Sequence, residues 1–140
     1  MRRVVLDTSV LVAGIRSRRG ASFQIIERVG TSLFEIALSV PLVLEYEDAL
    51  LRHASVAGLT ANDVHDIIDY FCSVAVRQEI FYLWRPALRD AGDDLVLELG
   101  VAAACDSIVT HNIRDFAGAE RFGLRVFTPG DFLNQMRSSR

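Results

Sequence analysis

Val4, Val5 and Leu6 form an apolar run with no polar alternation. Such a run predicts a short strand over residues 3–6, buried on both faces. Ser9 can cap a helix opening at Val10. "RSRRG" at 16–20 reads as a basic loop. Phe23, Ile26 and Val29 then recur at helical spacing over 21–29. A second strand is expected over 34–39. Pro41 suits the first turn of a helix running to about His53. Thr60 and Asp63 make a capping box, and the helix they open carries Val64, Ile67, Ile68 and Phe71 on one face. Residues 73–81 allow a short third strand, and 82–94 reads as a loop broken by Pro86 and Gly92. The rest divides into a helix over 94–104, a strand over 107–110, a loop or short helix over 111–123, a strand over 125–127 and a helix from Pro129 to about Met136.

Strands alternate with helices along the chain, and several strands lack polar alternation. The class is therefore α/β: a three-layer α/β/α sandwich around a mostly parallel central sheet. At 140 residues the chain fits one domain with a proper core. No apolar run is long enough to span a bilayer, and the start lacks the layout of a signal peptide. A cytoplasmic protein without membrane contact is the expectation. Cys72 and Cys105 match no metal or redox spacing and read as reduced, buried thiols.

In such sheets, ligands bind beyond the carboxyl ends of the strands. Asp7 directly follows the first strand. Thr110 closes the "SIVT" strand, with Asn112 and Asp115 just after it, so these groups fall on one edge. Glu45 lies about one turn into the helix after the second strand and can reach back toward that edge. Asp93 and Asp94 stand at the start of the helix leading into "SIVT". One is expected to be a ligand and the other a favourable N-terminal helix charge. Glu47 and Asp48 read as solvated helix positions.

Converging carboxylates repel unless a cation neutralises them. Carboxylate oxygens suit magnesium or manganese, and no His or Cys cluster points to zinc. The chemistry this implies is metal-assisted phosphoryl transfer. The formal net charge of -3 does not suggest a general nucleic-acid binder, but acids gathered around a metal contribute to it. All fifteen basic residues are Arg. Receiver domains and haloacid-dehalogenase-type phosphatases share this architecture but use a Lys at the phosphoryl group, which this chain lacks. The phosphatases also place a second Asp where Ser9 stands.

"VVLDTSVLVAG", "LSVPLVLEYEDAL", "RDAGDDLVLELGVAAACDSIVTHNIRDF" and "LRVFTPGDFL", in that order, resemble the PIN domain family. The likeness is greatest to its VapC-related branch of toxin–antitoxin toxins. It implies a metal-dependent ribonuclease with Asp7, Glu45 and Asp93 as acids, Asp93 being preferred to Asp94. Asn112 stands at the fourth position, where the all-carboxylate version has an acid, and Asp115 would supply the missing charge. The implied metal ligands are thus Asp7, Glu45, Asp93 and Asp115, holding Mg2+ or Mn2+. Thr8, Ser9 and Thr110 match hydroxyl positions that orient the acids. In-line attack of water on phosphorus would leave a 3′-hydroxyl and a 5′-phosphate. RNA is the implied substrate, with Arg16, Arg18 and Arg19 as candidate phosphate contacts. His111 reads as a surface loop residue. The resemblance further implies a cognate antitoxin and a homodimer joined through apolar residues of the second and third helices. The alternatives are an inactive PIN-like binding module and a non-toxin RNA-processing nuclease.

Overall fold

A computed structural model of the chain describes residues 1–80 and 91–138. The elements run β1 (Arg2–Leu6), α1 (Thr8–Arg16), α2 (Ala21–Glu27), β2 (Phe34–Leu38), α3 (Val40–Ala54), α4 (Ala61–Val74), β3 (Val76–Arg77), α5 (Ala91–Ala102), β4 (Ser107–Val109), β5 (Arg125–Phe127) and α6 (Pro129–Ser138). Short 3-10 turns at Ile113–Phe116 and Ala119–Phe122 link β4 to β5. The five strands form one all-parallel sheet in the order β3-β2-β1-β4-β5. With helices packed on it, the architecture is the expected α/β/α sandwich.

The apolar run of β1 explains its central place. Val4, Val5 and Leu6 have no exposed surface, as a strand covered on both faces requires. Pairing aligns Leu6 with Val109 of β4. Asp7 and Thr110 therefore leave neighbouring strands side by side. The Asp7 amide donates to the Val109 carbonyl at 2.9 Å, extending the ladder by one bond.

Several boundaries differ from expectation. α1 opens at Thr8, not Val10, with Asp7 as its N-cap residue and no side-chain cap bond. The reason is local chemistry. Ser9 Oγ donates to Asp7 instead of capping a backbone amide. α2 ends at Glu27, two residues short, because the chain turns into Gly30 with φ of 89°. α5 starts at Ala91, which draws Asp93 and Asp94 into its first turn, where their charge complements the helix dipole. The expected loop thus loses its last four residues to the helix, and 82–90 lie outside the described residues. α6 continues to Ser138, past Met136.

Other signals hold. Ser39 caps α3 by accepting from the Leu42 amide, with Pro41 in the first turn. Thr60 and Asp63 form the reciprocal capping box of α4. β3 falls within the expected window but is only two residues long, at the sheet edge. Gly14 lets α1 lie close on α2, since a Cβ there would sit 2.1 Å from Ile26 Cδ1. Both cysteines are free, Cys105 buried and Cys72 half-buried. Burial pushes the Cys105 thiol up to about 12. None of the described helices is long and apolar enough to cross a membrane.

Candidate functional site

Asp7 is the one acid at the end of the central strand, and it is only 8% exposed. A buried carboxylate needs hydrogen-bond donors. Its Oδ2 accepts from Ser9 Oγ at 2.7 Å and from Thr110 Oγ1 at 2.8 Å. Thr110 is fully buried, so its hydroxyl has a fixed bearing. Thr110 Oγ1 also accepts from the Asn112 amide, and Ser9 Oγ from the His111 amide. The loop after β4 is thereby sewn to the start of α1.

Glu45 approaches from α3. Its Oε2 accepts from Thr8 Oγ1 at 2.8 Å. Next to Glu45 on α3 stands Tyr46, a residue the sequence did not single out. It is buried, and its hydroxyl donates to the Leu6 carbonyl. Its pKa is raised well above the ordinary value, first by burial and then by the charges of Asp7 and Glu45. Both carboxylates thus act on one phenol at the end of β1.

The remaining acids stand apart from this pair. Asp94 is 7% exposed on the first turn of α5, whereas Asp93 is half-buried. Glu98, one turn on, has its pKa raised by burial and then by Asp94. Asn112 and Asp115 are exposed at the turn after β4. Among the described residues, no three His, Cys, Asp or Glu side chains are grouped closely enough to hold a metal ion. The structure brings Asp7 and Glu45 together with Thr8, Ser9 and Thr110. It does not bring Asp93, Asp94 or Asp115 into that group.

The donor set fits a hard divalent cation all the same. Magnesium is commonly held by one or two carboxylates, with waters and substrate phosphate completing its shell, and not by a full protein cage. Asp7 accepts two hydroxyls on one oxygen and Glu45 one hydroxyl on one oxygen, and among the described residues nothing donates to the other oxygen of either. His111 is the exposed loop residue expected, and it also has a partner on α2. Its Nε2 lies 2.7 Å from Oγ of the buried Ser22 on α2. Arg18 and Arg19 are exposed in the turn between α1 and α2. Arg16 instead lines a groove with Thr8, Ser9, Arg52, His53 and His111.

No curated protein sequence matches the chain. Among solved structures, the fold is similar to that of a chain in the crystal structure of VapBC2 from Rickettsia felis bound to a DNA fragment from their promoter. That match has a TM-score of 0.59 at 15% identity and covers 89% of this chain and 98% of the other. The PIN domain family model matches residues 3–114, from β1 through the turn that carries Asn112. The chain belongs to the PIN domain family, whose members are typically nucleases.

Proposed function

We propose that this single-domain protein is a Mg2+-dependent endoribonuclease, the toxin of a toxin–antitoxin pair. The observation that carries the reading is Asp7, a buried carboxylate held by two hydroxyls at the end of the central strand, with Glu45 beside it. That cluster would cost stability if it served the fold alone.

Asp7 and Glu45 would hold the cation, with a third acid from the start of α5. Burial favours Asp94 there over the Asp93 expected from the sequence. Asn112 and Asp115 would meet the substrate side from the turn after β4. When bound, the cation lowers the pKa of an attacking water and shields the charge that grows on the phosphate. The chain's own part is orientation. Thr110 and Ser9 fix Asp7, Thr8 fixes Glu45, and Tyr46 holds the strand end at Leu6. Hydrolysis in line would leave a 5′-phosphate and a 3′-hydroxyl.

The similar fold in the VapBC2 complex supports an antitoxin partner for this chain. A homodimer would use the exposed apolar stripe of α3, formed by Val40, Leu44 and Leu51. The action would be cytoplasmic. A second reading, an inactive binding module, is favoured by Asn112, a neutral group where an acid would complete the site.

Purified protein, Asp7→Asn and buffer alone, each with magnesium and a structured RNA pool, separate the two readings. Cleavage by the wild type alone, with 5′-phosphate ends, supports the nuclease. Equal cleavage by wild type and Asp7→Asn removes its support. Growth arrest on expression, relieved by a neighbouring gene product, tests the toxin assignment; no arrest counts against it.

A further inference from the structure

α1 and α3 both begin at the carboxyl edge of the sheet and pack on each other. Their acids and hydroxyls lie near their starts, at Asp7, Thr8, Ser9 and Glu45. Their bases lie at their ends, at Arg16, Arg52 and His53. One groove is lined by the bases Arg16, Arg52, His53 and His111 together with Thr8 and Ser9, the hydroxyls that hold Glu45 and Asp7; the carboxylates themselves lie outside its lining. We infer that this groove binds the sugar-phosphate backbone of single-stranded RNA and leads it to the carboxylate pair. The inference rests on the nuclease reading above and names the surface that reading leaves open.

Bases at helix C-termini also have a plain cause, the helix dipole. That cause would account for Arg16, Arg52 and His53 on any face. It does not account for their meeting in one groove, nor for His111, which comes from the turn after β4 and is tied to Ser22 of α2. Arg16 has no acidic partner within ion-pair distance among the described residues. Arg52 pairs with Asp48 at 3.2 Å, but both side chains are about two-thirds exposed, at 66% and 71%. Such a pair contributes little and yields readily to a phosphate.

The dimensions agree. Eight helical residues from Thr8 to Arg16 span about 12 Å, a length that a few nucleotides of single strand can bridge. The wall of the groove comes from α1, α3 and the turn carrying His111, and it holds two imidazoles but no Phe, Tyr or Trp. It therefore suits backbone contact without base readout.

The test is binding of a fluorescein-labelled single-stranded RNA of about 16 nucleotides, measured by anisotropy in chelator across a salt series. Magnesium-dependent cleavage is assayed in parallel. Arg16→Ala and Arg52→Ala should each weaken binding about tenfold and flatten the log–log salt slope by about 0.7. Arg125→Ala, at the opposite edge of the sheet, should bind as wild type. Circular dichroism confirms that each variant is folded. Groove variants that bind and cleave like a cleaving wild type overturn the inference and leave the nuclease reading standing. Weakened RNA binding by these variants, with no cleavage by any protein, supports the groove and removes the nuclease. Displacement of the RNA by poly-glutamate at equal charge overturns the RNA assignment in favour of an acidic peptide. Failure of the wild type to bind overturns it outright.

Discussion

The two halves of the site are built differently. At the ends of β1 and β4, Asp7 is fixed by Ser9 and Thr110, Glu45 by Thr8, and the buried Tyr46 hydroxyl holds the Leu6 carbonyl beside Asp7. Across the edge, Asn112 and Asp115 are exposed on a 3-10 turn, and Asp93 and Asp94 stand on α5 outside the Asp7 group. The first half is pre-organised by backbone ladders and buried hydroxyls. The second draws its charge from an exposed turn and from the first turn of α5. Full convergence of four acids would cost repulsion in the absence of a cation. A fold that holds two carboxylates rigidly and keeps the others outside that group avoids that cost; on the proposed reading, cation and substrate would offset it.

Breaking the rigid half should have the largest effect. Asp7→Asn should lower cleavage by about a thousandfold, corresponding to about 4 kcal/mol of lost transition-state stabilisation. Initial rates on a cleaved RNA check this, and a loss under tenfold would remove Asp7 from the centre. Thr110→Val comes next. It keeps the shape but withdraws a buried donor from Asp7, and should cost about 10–100-fold in metal affinity or activity. In the looser half, Asp94→Asn should cost more activity than Asp93→Asn; the reverse order would restore Asp93 as the third acid.

Tyr46→Phe leaves the Leu6 carbonyl without its donor inside the core. It should lower stability by about 1–3 kcal/mol in urea unfolding, with a smaller change in rate than Thr110→Val. The smallest effect at neutral pH belongs to Cys105. Its folded thiol titrates at about 12, above its ordinary value of 9.0. The unfolded chain therefore loses this proton first as pH rises, so stability falls from about pH 9 toward about pH 12. Cys105→Ala should flatten that alkaline decline in thermal unfolding.

The sequence carried the rigid half better than the loose one. An all-apolar β1 with Asp7 at its end, and "SIVT" with Thr110 at its end, put both groups on one edge of any parallel sheet. Pro41 and the start of α3 likewise placed Glu45. Tyr46 reads as one more apolar helix position, because its role depends on reaching a carbonyl on another element. The Ser22–His111 contact joins residues 89 apart in sequence, and no local periodicity encodes such a pair. The start of α1 was misplaced for the same reason. Ser9 has the chemistry of a cap, but a long-range partner captures Asp7 and a local one captures Ser9. Asp93 and Asp94 are neighbouring acids at a helix start and look alike in sequence; they differ in burial only once α5 is packed.

Calorimetric titration of Mn2+ into the RNA-free protein tests the contrast between the two halves most directly. The account predicts binding by the wild type, its loss in Asp7→Asn, and its retention in Asp115→Asn. Unchanged binding by Asp7→Asn, or loss only in Asp115→Asn, would contradict it.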